Sequence, residues 1–198
     1  MSAPPLKPAI FLDRDGVIVE NRADYVKTIE EAEFLPGALA ALAWAAQFDC
    51  LFVVASNQSA VGRGRLTLAT LSIINAHLHR AIVAAGGRMD GWYMCPHLPE
   101  DDCDCRKPKP GMLRNAAADL GIDLPASVMI GDAVSDVQAG HAAGTHAILV
   151  STGRGLGQTA ELRQAGLHQH VPVVADLEMA LRRAVATLAL TKTPPEGA

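Results

Sequence analysis

Short apolar runs alternate with helical patterns along almost the whole chain, and this alternation restricts the possible folds more than any other feature of the sequence. The apolar runs that predict strands cover residues 9–12, 50–55, 91–95, 128–131, 147–150 and 171–174, the last as an edge strand because it contains a proline. Predicted helices cover residues 36–47, 68–85, 110–120, 135–143 and 177–190. This alternation predicts an α/β fold, with a parallel sheet and helices on both of its faces.

The length of the chain favours a single domain. Its 198 residues can form one sizeable hydrophobic core, and we expect one domain over residues 1–190 and a disordered tail at residues 191–198. The alternating elements leave no obvious room for a separate cap domain. Ligands of open parallel sheets bind at the carboxyl ends of the strands, so the residues that follow the predicted strands are the first candidates for a functional site.

Composition and charge argue against several classes of partner. The formal net charge of −4, from 17 basic and 21 acidic residues, provides no broad positive surface for nucleic acid. No apolar run approaches the roughly 18 residues of a membrane span, and the N-terminus lacks the apolar run of a secretory signal. We therefore expect a cytoplasmic monomer that binds neither nucleic acid nor a membrane.

Two carboxylates follow the first predicted strand. In the segment FLDRDG, Asp13 and Asp15 are two positions apart, so both side chains can face one site. A carboxylate can accept a phosphoryl group covalently, which makes Asp13 a candidate nucleophile and Asp15 a candidate proton donor and acceptor. A solvated acidic turn is the ordinary alternative if this segment is taken alone.

Polar residues also follow the second predicted strand. Ser56, Asn57, Gln58 and Ser59 offer a hydroxyl and loop amides that suit the oxygens of a phosphate. A simple hydrogen-bonded turn has the same composition and is the alternative here.

Two pairs of charged residues follow the third and fourth predicted strands. Arg106 and Lys107 follow the third predicted strand, where a lysine can offset charge on a phosphate and on an attacking carboxylate. Asp132 and Asp136 follow the fourth predicted strand and offer oxygen ligands for a hard cation. The alternatives are a solvated basic pair and a helix N-cap.

The four groups lie at predicted strand ends in the order that a phosphatase site needs, and this coincidence favours a functional interpretation. Two aspartates and a phosphate dianion repel one another, so the site needs a divalent cation. We expect Mg²⁺ to be bound by Asp13, Asp15 and Asp132, with Asp136 as a further candidate ligand.

A second set of residues has the spacing of a zinc site. Cys95, His97, Cys103 and Cys105 fall within eleven residues and match a closed tetrahedral site of three thiolates and one imidazole. Such a site has no open position for water, so we expect a structural zinc that fixes the loop leading into Arg106. Free or disulfide-bonded cysteines are the alternative.

These motifs together resemble the haloacid dehalogenase superfamily of phosphohydrolases over nearly the whole chain. The segments FLDRDG, SNQS, CPH and CDCRKP are similar to its zinc-bearing branch, which contains heptose bisphosphate phosphatases and histidinol-phosphatases. The resemblance implies a cap-less, Rossmann-like sheet. In that sheet the first strand is central and lies between the strands that carry Ser56 and Asp132.

The resemblance also implies roles for individual residues. Asp13 would be the nucleophile and Asp15 the acid and base, and Asp15 would reach Mg²⁺ through its backbone carbonyl. Ser56 and Lys107 would hold the phosphoryl group, and Arg106 would recognise the substrate.

The substrate implied by the resemblance is a small phosphorylated sugar of carbohydrate metabolism. The segment KPGML at residues 109–113 resembles the heptose enzymes, whereas the short linker between His97 and Cys103 resembles the histidinol-phosphate enzymes. We therefore expect a heptose bisphosphate first and histidinol phosphate second, and an inactive phosphate-binding module is the non-enzymatic alternative. A flap at residues 20–25 either contacts the substrate or is a solvated loop.

Overall fold

The computed structural model describes residues 5–193 and contains a six-stranded parallel sheet. In chain order the strands are β1 (Ala9–Leu12), β2 (Leu51–Asn57), β3 (Gly91–Cys95), β4 (Val128–Gly131), β5 (His146–Val150) and β6 (Val173–Val174). Their order across the sheet is β3-β2-β1-β4-β5-β6. The prediction that the first strand is central, between the strands that carry Ser56 and Asp132, is confirmed.

Helices cover both faces of the sheet, as the alternation of elements predicts. They are α1 (Ala38–Ala45), α2 (Ser59–Gly62), α3 (Leu68–Ala84), α4 (Gly111–Leu120), α5 (Val134–Ala143), α6 (Gly155–Gln164) and α7 (Leu177–Thr187). The residues of β1 are buried on both sides, because Ile10 and Leu12 join the core beneath α1, α3 and α7 while Ala9 and Phe11 join the core beneath α4. A parallel sheet buried on both faces needs such continuously apolar strands.

The longest helix, α3, begins where its sequence predicts. The side-chain oxygen of Thr67 accepts a hydrogen bond of 3.0 Å from the backbone N–H of Thr70 and so caps the first turn. The apolar side chains of Leu71, Ile74 and Leu78 recur at helical spacing and are all buried. Among residues 5–193 no helix, including α3, combines the length and the apolar character needed to cross a membrane.

The structure adds elements that the sequence pattern did not indicate. The additional elements are α2, a 3₁₀ turn at Pro99–Asp101, and α6, which buries few side chains, Leu162 among them. The predicted tail starts with residues that hydrogen-bond to the domain, since Asp49 N–H donates to Thr191 O and Thr193 N–H donates to Gln47 O. The rest of that predicted tail, residues 194–198, lies outside the described residues.

Candidate active site at the carboxyl ends of the strands

A cavity of about 560 Å³ opens at the carboxyl ends of β1, β2 and β4. Parallel strands deliver their last residues to one edge of the sheet, so side chains that are far apart in sequence meet there. Of the sequence-predicted site residues, those that line the cavity are Asp13, Asp15, Ser56, Asn57, Ser59, Arg106, Lys107 and Asp136.

Lys107 is the buried cation at the base of the cavity. Its ammonium lies 3.1 Å from Asp13 Oδ1 and 2.6 Å from Asp136 Oδ1, and it donates a hydrogen bond to Ala55 O. Burial alone lowers the pKa of this ammonium, but the charges of Asp13 and Asp136 outweigh burial and raise the pKa above its usual value. Lys107 therefore stays positively charged beside the candidate nucleophile.

For the carboxyl group of Asp136, burial has the largest effect on the pKa. Burial raises the pKa of its carboxyl to about 6, against the opposing charge of Lys107 and with the help of the nearby carboxylates of Asp13 and Asp132. Its other interaction is structural, because Asp136 Oδ2 accepts a hydrogen bond of 3.0 Å from the backbone N–H of Ala133 at the start of α5. Asp136 thus anchors Lys107 and the first turn of that helix.

The carboxylates at the base of the cavity fit a divalent cation. Asp13, Asp132 and Asp136 are all buried and each places an oxygen within 4.8 Å of an oxygen of the other two. The Oδ1 atom of Asp13 accepts no hydrogen bond of good geometry, although Lys107 lies beside it. A hard cation that prefers oxygen ligands would satisfy this atom and screen the like charges, so the donor set suits Mg²⁺.

Asp132 is covered by Arg154, a residue that no sequence motif indicated. The backbone N–H of Arg154 donates to Asp132 Oδ2 at 2.8 Å, and its Nη2 lies 3.2 Å from Oδ1. Burial and the charge of Asp13 raise the pKa of the Asp132 carboxyl, and Arg154 opposes this shift. A side chain at Gly16 or Gly153 would collide with Asp132 Oδ2, so both glycines are needed for the loops to pack this closely.

Asp15 lies at the edge of the cavity and is held by two neighbours. The guanidinium of Arg14 donates to both of its carboxylate oxygens, and Gln58 Nε2 donates to Oδ2 at 2.7 Å. Gln58 was expected to bind substrate, but the structure places it below the cavity, only 2% exposed, where it also donates to Ser56 Oγ at 3.1 Å. Its contacts orient Asp15 and Ser56 from behind.

Asn57 connects the end of β2 to the segment that carries Lys107. Its Nδ2 donates to Lys107 O and its Oδ1 accepts from Lys107 N–H, both at 3.0 Å. Beside it, Ser59 Oγ accepts a hydrogen bond of 2.7 Å from Nη1 of Arg106. The contacts of Asn57 fix the backbone of Lys107, and the contact of Ser59 holds the side chain of Arg106 at the wall of the cavity.

The outer wall of the cavity comes from the flap and from α2. Asn21, Arg22 and Tyr25 of the flap line it, together with Arg63 at the end of α2. Nε of Arg63 donates a hydrogen bond of 3.0 Å to the Tyr25 hydroxyl and ties the two segments together. Arg63 was not singled out in the sequence, because an arginine after a four-residue helix has no motif of its own.

The cysteine cluster forms a compact tetrad beside the cavity. The Sγ atom of Cys105 lies 3.2 Å from that of Cys95 and 3.4 Å from that of Cys103, and 3.3 Å from Nδ1 of His97. Zinc–sulfur bonds of about 2.3 Å give tetrahedral S–S edges of about 3.8 Å, so the three sulfur atoms are grouped at nearly the spacing that a zinc ion requires. None of the four cysteines, all within the described residues, forms a disulfide in the structure.

Comparisons with known proteins place these features in a family. Residues 104–180 match the Hydrolase_like family model, which describes HAD-like hydrolases. The D-glycero-β-D-manno-heptose-1,7-bisphosphate 7-phosphatase of Bordetella bronchiseptica is 43% identical over 168 residues, which cover 85% of this chain and 92% of the relative. The enzyme of the same name from Escherichia coli K12 is 40% identical over 163 residues, covering 78% of this chain and 84% of the relative.

A solved structure agrees with the relatives. The crystal structure of the D,D-heptose 1,7-bisphosphate phosphatase from B. bronchiseptica, complexed with magnesium and phosphate, superposes with a TM-score of 0.84 and 40% identity. The alignment covers 91% of this chain and 99% of the crystallised one. The chain belongs to the heptose bisphosphate phosphatase family. Membership of this family confirms that the chain is a phosphatase of the haloacid dehalogenase superfamily, as its motifs predict.

Proposed function

We propose that this phosphatase removes the 7-phosphate of D-glycero-β-D-manno-heptose 1,7-bisphosphate in a Mg²⁺-dependent reaction. The observation that supports this most is the pairing of Asp13 with the buried ammonium of Lys107 inside a cluster of three carboxylates. Two relatives at 43% and 40% identity carry the name of that activity. We infer further that the protein acts as a monomer in the cytoplasm, with one domain over residues 1–190.

The first half of the proposed reaction transfers the phosphoryl group to the protein. An oxygen of Asp13 attacks phosphorus, the bond from phosphorus to the sugar oxygen breaks, and Asp15 donates a proton to that leaving oxygen. Lys107 and the hydroxyl of Ser56 hold the phosphoryl oxygens, and the ammonium offsets the charge that builds up as attack proceeds.

The second half releases inorganic phosphate. Asp15, now ionised, accepts a proton from a water molecule that attacks the phosphorus of the aspartyl phosphate on Asp13, and the original carboxylate is restored. Hydrogen bonds from Arg14 and Gln58 keep Asp15 at the edge of the cavity, where this water enters. Division into two steps turns one difficult hydrolysis into two easier ones.

The donor geometry supports Asp13 and Asp132 as ligands of Mg²⁺, with Asp136 nearby but paired with Lys107. The resemblance to the phosphohydrolases adds the backbone carbonyl of Asp15 as a third ligand. The cation would supply charge screening between nucleophile and phosphate. Arg154 would have to share Asp132 or turn away, because its Nη2 lies 3.2 Å from Asp132 Oδ1.

The outer half of the cavity suits the remainder of a bisphosphate. Arg22, Arg63 and Arg106 line its wall and offer charge-assisted donors to a second phosphate, while Asn21 and Tyr25 offer polar groups to the sugar hydroxyls. Asn57 and Ser59 contribute by fixing Lys107 and Arg106. Histidinol phosphate has a single phosphate and would bring no second phosphate to these cations.

A substrate panel tests this proposal. The value of kcat/KM for the heptose bisphosphate should exceed that for histidinol phosphate by at least about tenfold, because a charge-assisted hydrogen bond contributes roughly 1.5–3 kcal/mol. Phosphate release is measured with Mg²⁺ present, and the heptose 7-phosphate without the second phosphate is the matched control substrate. Equal rates on all three compounds would contradict the proposed specificity.

We also propose that Cys95, His97, Cys103 and Cys105 hold one zinc ion that supports the loop before Arg106. Stripping the zinc, or the substitution Cys105→Ser, should lower the midpoint of thermal unfolding and should lower kcat, because Lys107 follows the cluster directly. The neighbouring variant Asp104→Asn, at a fully exposed side chain, is the control and should change neither. Native mass spectrometry that finds no zinc in the active protein would contradict the assignment.

A further inference from the structure

Helix α3 carries a polar side chain on its buried face. Asn75 is 9% exposed and follows Leu71 by one helical turn, so it lies among the apolar residues that pack on the sheet. Burial of an amide without a partner is costly, and this amide has one. Its Oδ1 accepts a hydrogen bond of 3.0 Å from Nη1 of Arg14, the residue between the two aspartates of the active site.

Arg14 is completely buried and faces three partners at once. Its Nε and Nη2 contact the Asp15 carboxylate at 2.9–3.1 Å, its Nη2 also donates to Gln58 Oε1 at 2.9 Å, and its Nη1 donates to Asn75. The guanidinium is planar, so the hydrogen bond from Nη1 to Asn75 also fixes the orientation of Nε and Nη2, which bind Asp15. Helix α3 is thereby connected to the active site through a single side chain.

We propose that Asn75 is a positioning residue, which holds Arg14 so that Arg14 holds Asp15 in the orientation needed for proton transfer. This inference rests on the proposed function, in which Asp15 is the acid and base. Without the Asn75 oxygen, Nη1 of Arg14 loses a buried partner and the guanidinium turns to find another one. Proton transfer needs donor and acceptor within about 2.6–3.2 Å, so a small rotation of Asp15 is enough to slow it.

The two steps of the reaction depend on Asp15 to different degrees, and this difference provides the test. A sugar oxygen needs a proton to leave, whereas 4-nitrophenolate leaves without one. Hydrolysis of the phosphorylated Asp13 needs Asp15 as base whichever substrate supplied the phosphoryl group. Loss of the positioning contact should therefore spare the first step with 4-nitrophenyl phosphate and slow the second step with every substrate.

The experiment compares three variants of the Mg²⁺-loaded, zinc-containing protein. With the heptose bisphosphate, we expect Asn75→Ala to lower kcat by about 10–100-fold and to change KM by no more than about twofold, because both steps slow and a displacement of about 1 Å in a catalytic group can cost 10²-fold. With 4-nitrophenyl phosphate, rapid mixing should show a burst of nitrophenolate near one equivalent per enzyme before slow turnover. Asn75→Asp keeps an acceptor for Arg14 and should recover part of kcat, and Ser72→Ala, exposed on the same helix, should behave as the unsubstituted protein.

Two results would overturn the inference. One is an Asn75→Ala protein with an unchanged steady-state rate; the other is an equal loss of burst and steady-state rates with no recovery in Asn75→Asp, which indicates a purely structural residue. If Asn75→Ala does not fold, Asn75→Gln, which keeps the amide but displaces it, takes its place with the same expected burst. A chain that turns over 4-nitrophenyl phosphate but not the heptose bisphosphate would contradict the proposed substrate and leave this comparison intact.

Discussion

An Asp13→Asn protein is expected to lose Mg²⁺-dependent phosphate release by at least about 10⁴-fold in kcat, the scale seen when a covalent nucleophile is removed. Asp13 is buried at the carboxyl end of the central strand, 3.1 Å from the Lys107 ammonium. An amide in its place keeps the shape but has no anionic oxygen to attack phosphorus. No phosphorylated protein should then form, and acid quenching during turnover with labelled substrate measures this directly.

The control for this variant has to separate lost chemistry from lost structure. Asp49→Asn makes the same chemical change at a half-exposed side chain that pairs with Lys7. Asp49 precedes β2, whereas the cavity lies at the carboxyl end of that strand, so this variant should keep full activity. Thermal unfolding of both variants reports on the fold. An Asp13→Asn protein that is folded, binds Mg²⁺ and still forms a phosphorylated intermediate would show that another residue is the nucleophile.

Lys107→Met should produce the largest combined effect on activity and stability. The substitution leaves Asp13 and Asp136 side by side without the cation between them, and removal of one partner from a buried ion pair costs about 3–5 kcal/mol in the free energy of unfolding. We also expect kcat to fall by about 10²–10³-fold, because a preorganised charge beside the transferring phosphoryl group is lost. Urea unfolding and steady-state kinetics measure the two effects separately.

A double variant tests whether the loss of stability comes from uncompensated charge. Adding Asp136→Asn to Lys107→Met removes one of the two unpaired carboxylates, so part of the stability should return while kcat stays low. Lys109→Met, an exposed lysine two residues further on that pairs with Asp102, is the matched control and should change neither quantity measurably. Recovery of activity together with stability would contradict a direct role for Lys107 in catalysis.

The ends of strands β1 and β4 could be predicted because each strand is a short apolar run that can be read directly from the sequence. Strands β1 and β4 are continuous apolar runs that end at Asp13 and Asp132, and a sheet buried on both faces needs such runs. The Cys/His tetrad that we propose for zinc could be predicted from residue types and spacing alone. These two patterns together predicted which residues lie at the base of the cavity and where the cysteine cluster lies.

Arg154 and Arg63 could not be identified with the same reasoning. Arg154 follows the predicted strand at residues 147–150, so its place at the carboxyl edge was available as a signal, but the glycine-rich segment 153–157 showed no helical pattern. The helix α6 forms there but buries few side chains, Leu162 among them, so the sequence lacks the apolar periodicity that reveals a helix. Gln58 illustrates a further limit, because a polar residue after a strand can point into the cavity or beneath it, and only the packing of Arg14 decides which.

The paired contacts between Asn57 and Lys107 have a consequence for how this enzyme tolerates change. Because both backbone groups of the lysine are bound by a side chain of β2, its location is set by the sheet and by the cysteine cluster, and not by the length of the segment between His97 and Cys103. Extra residues inserted between His97 and Cys103 would therefore bulge outward while the lysine stayed in place. That stretch is a natural point at which to graft new sequence for a different substrate.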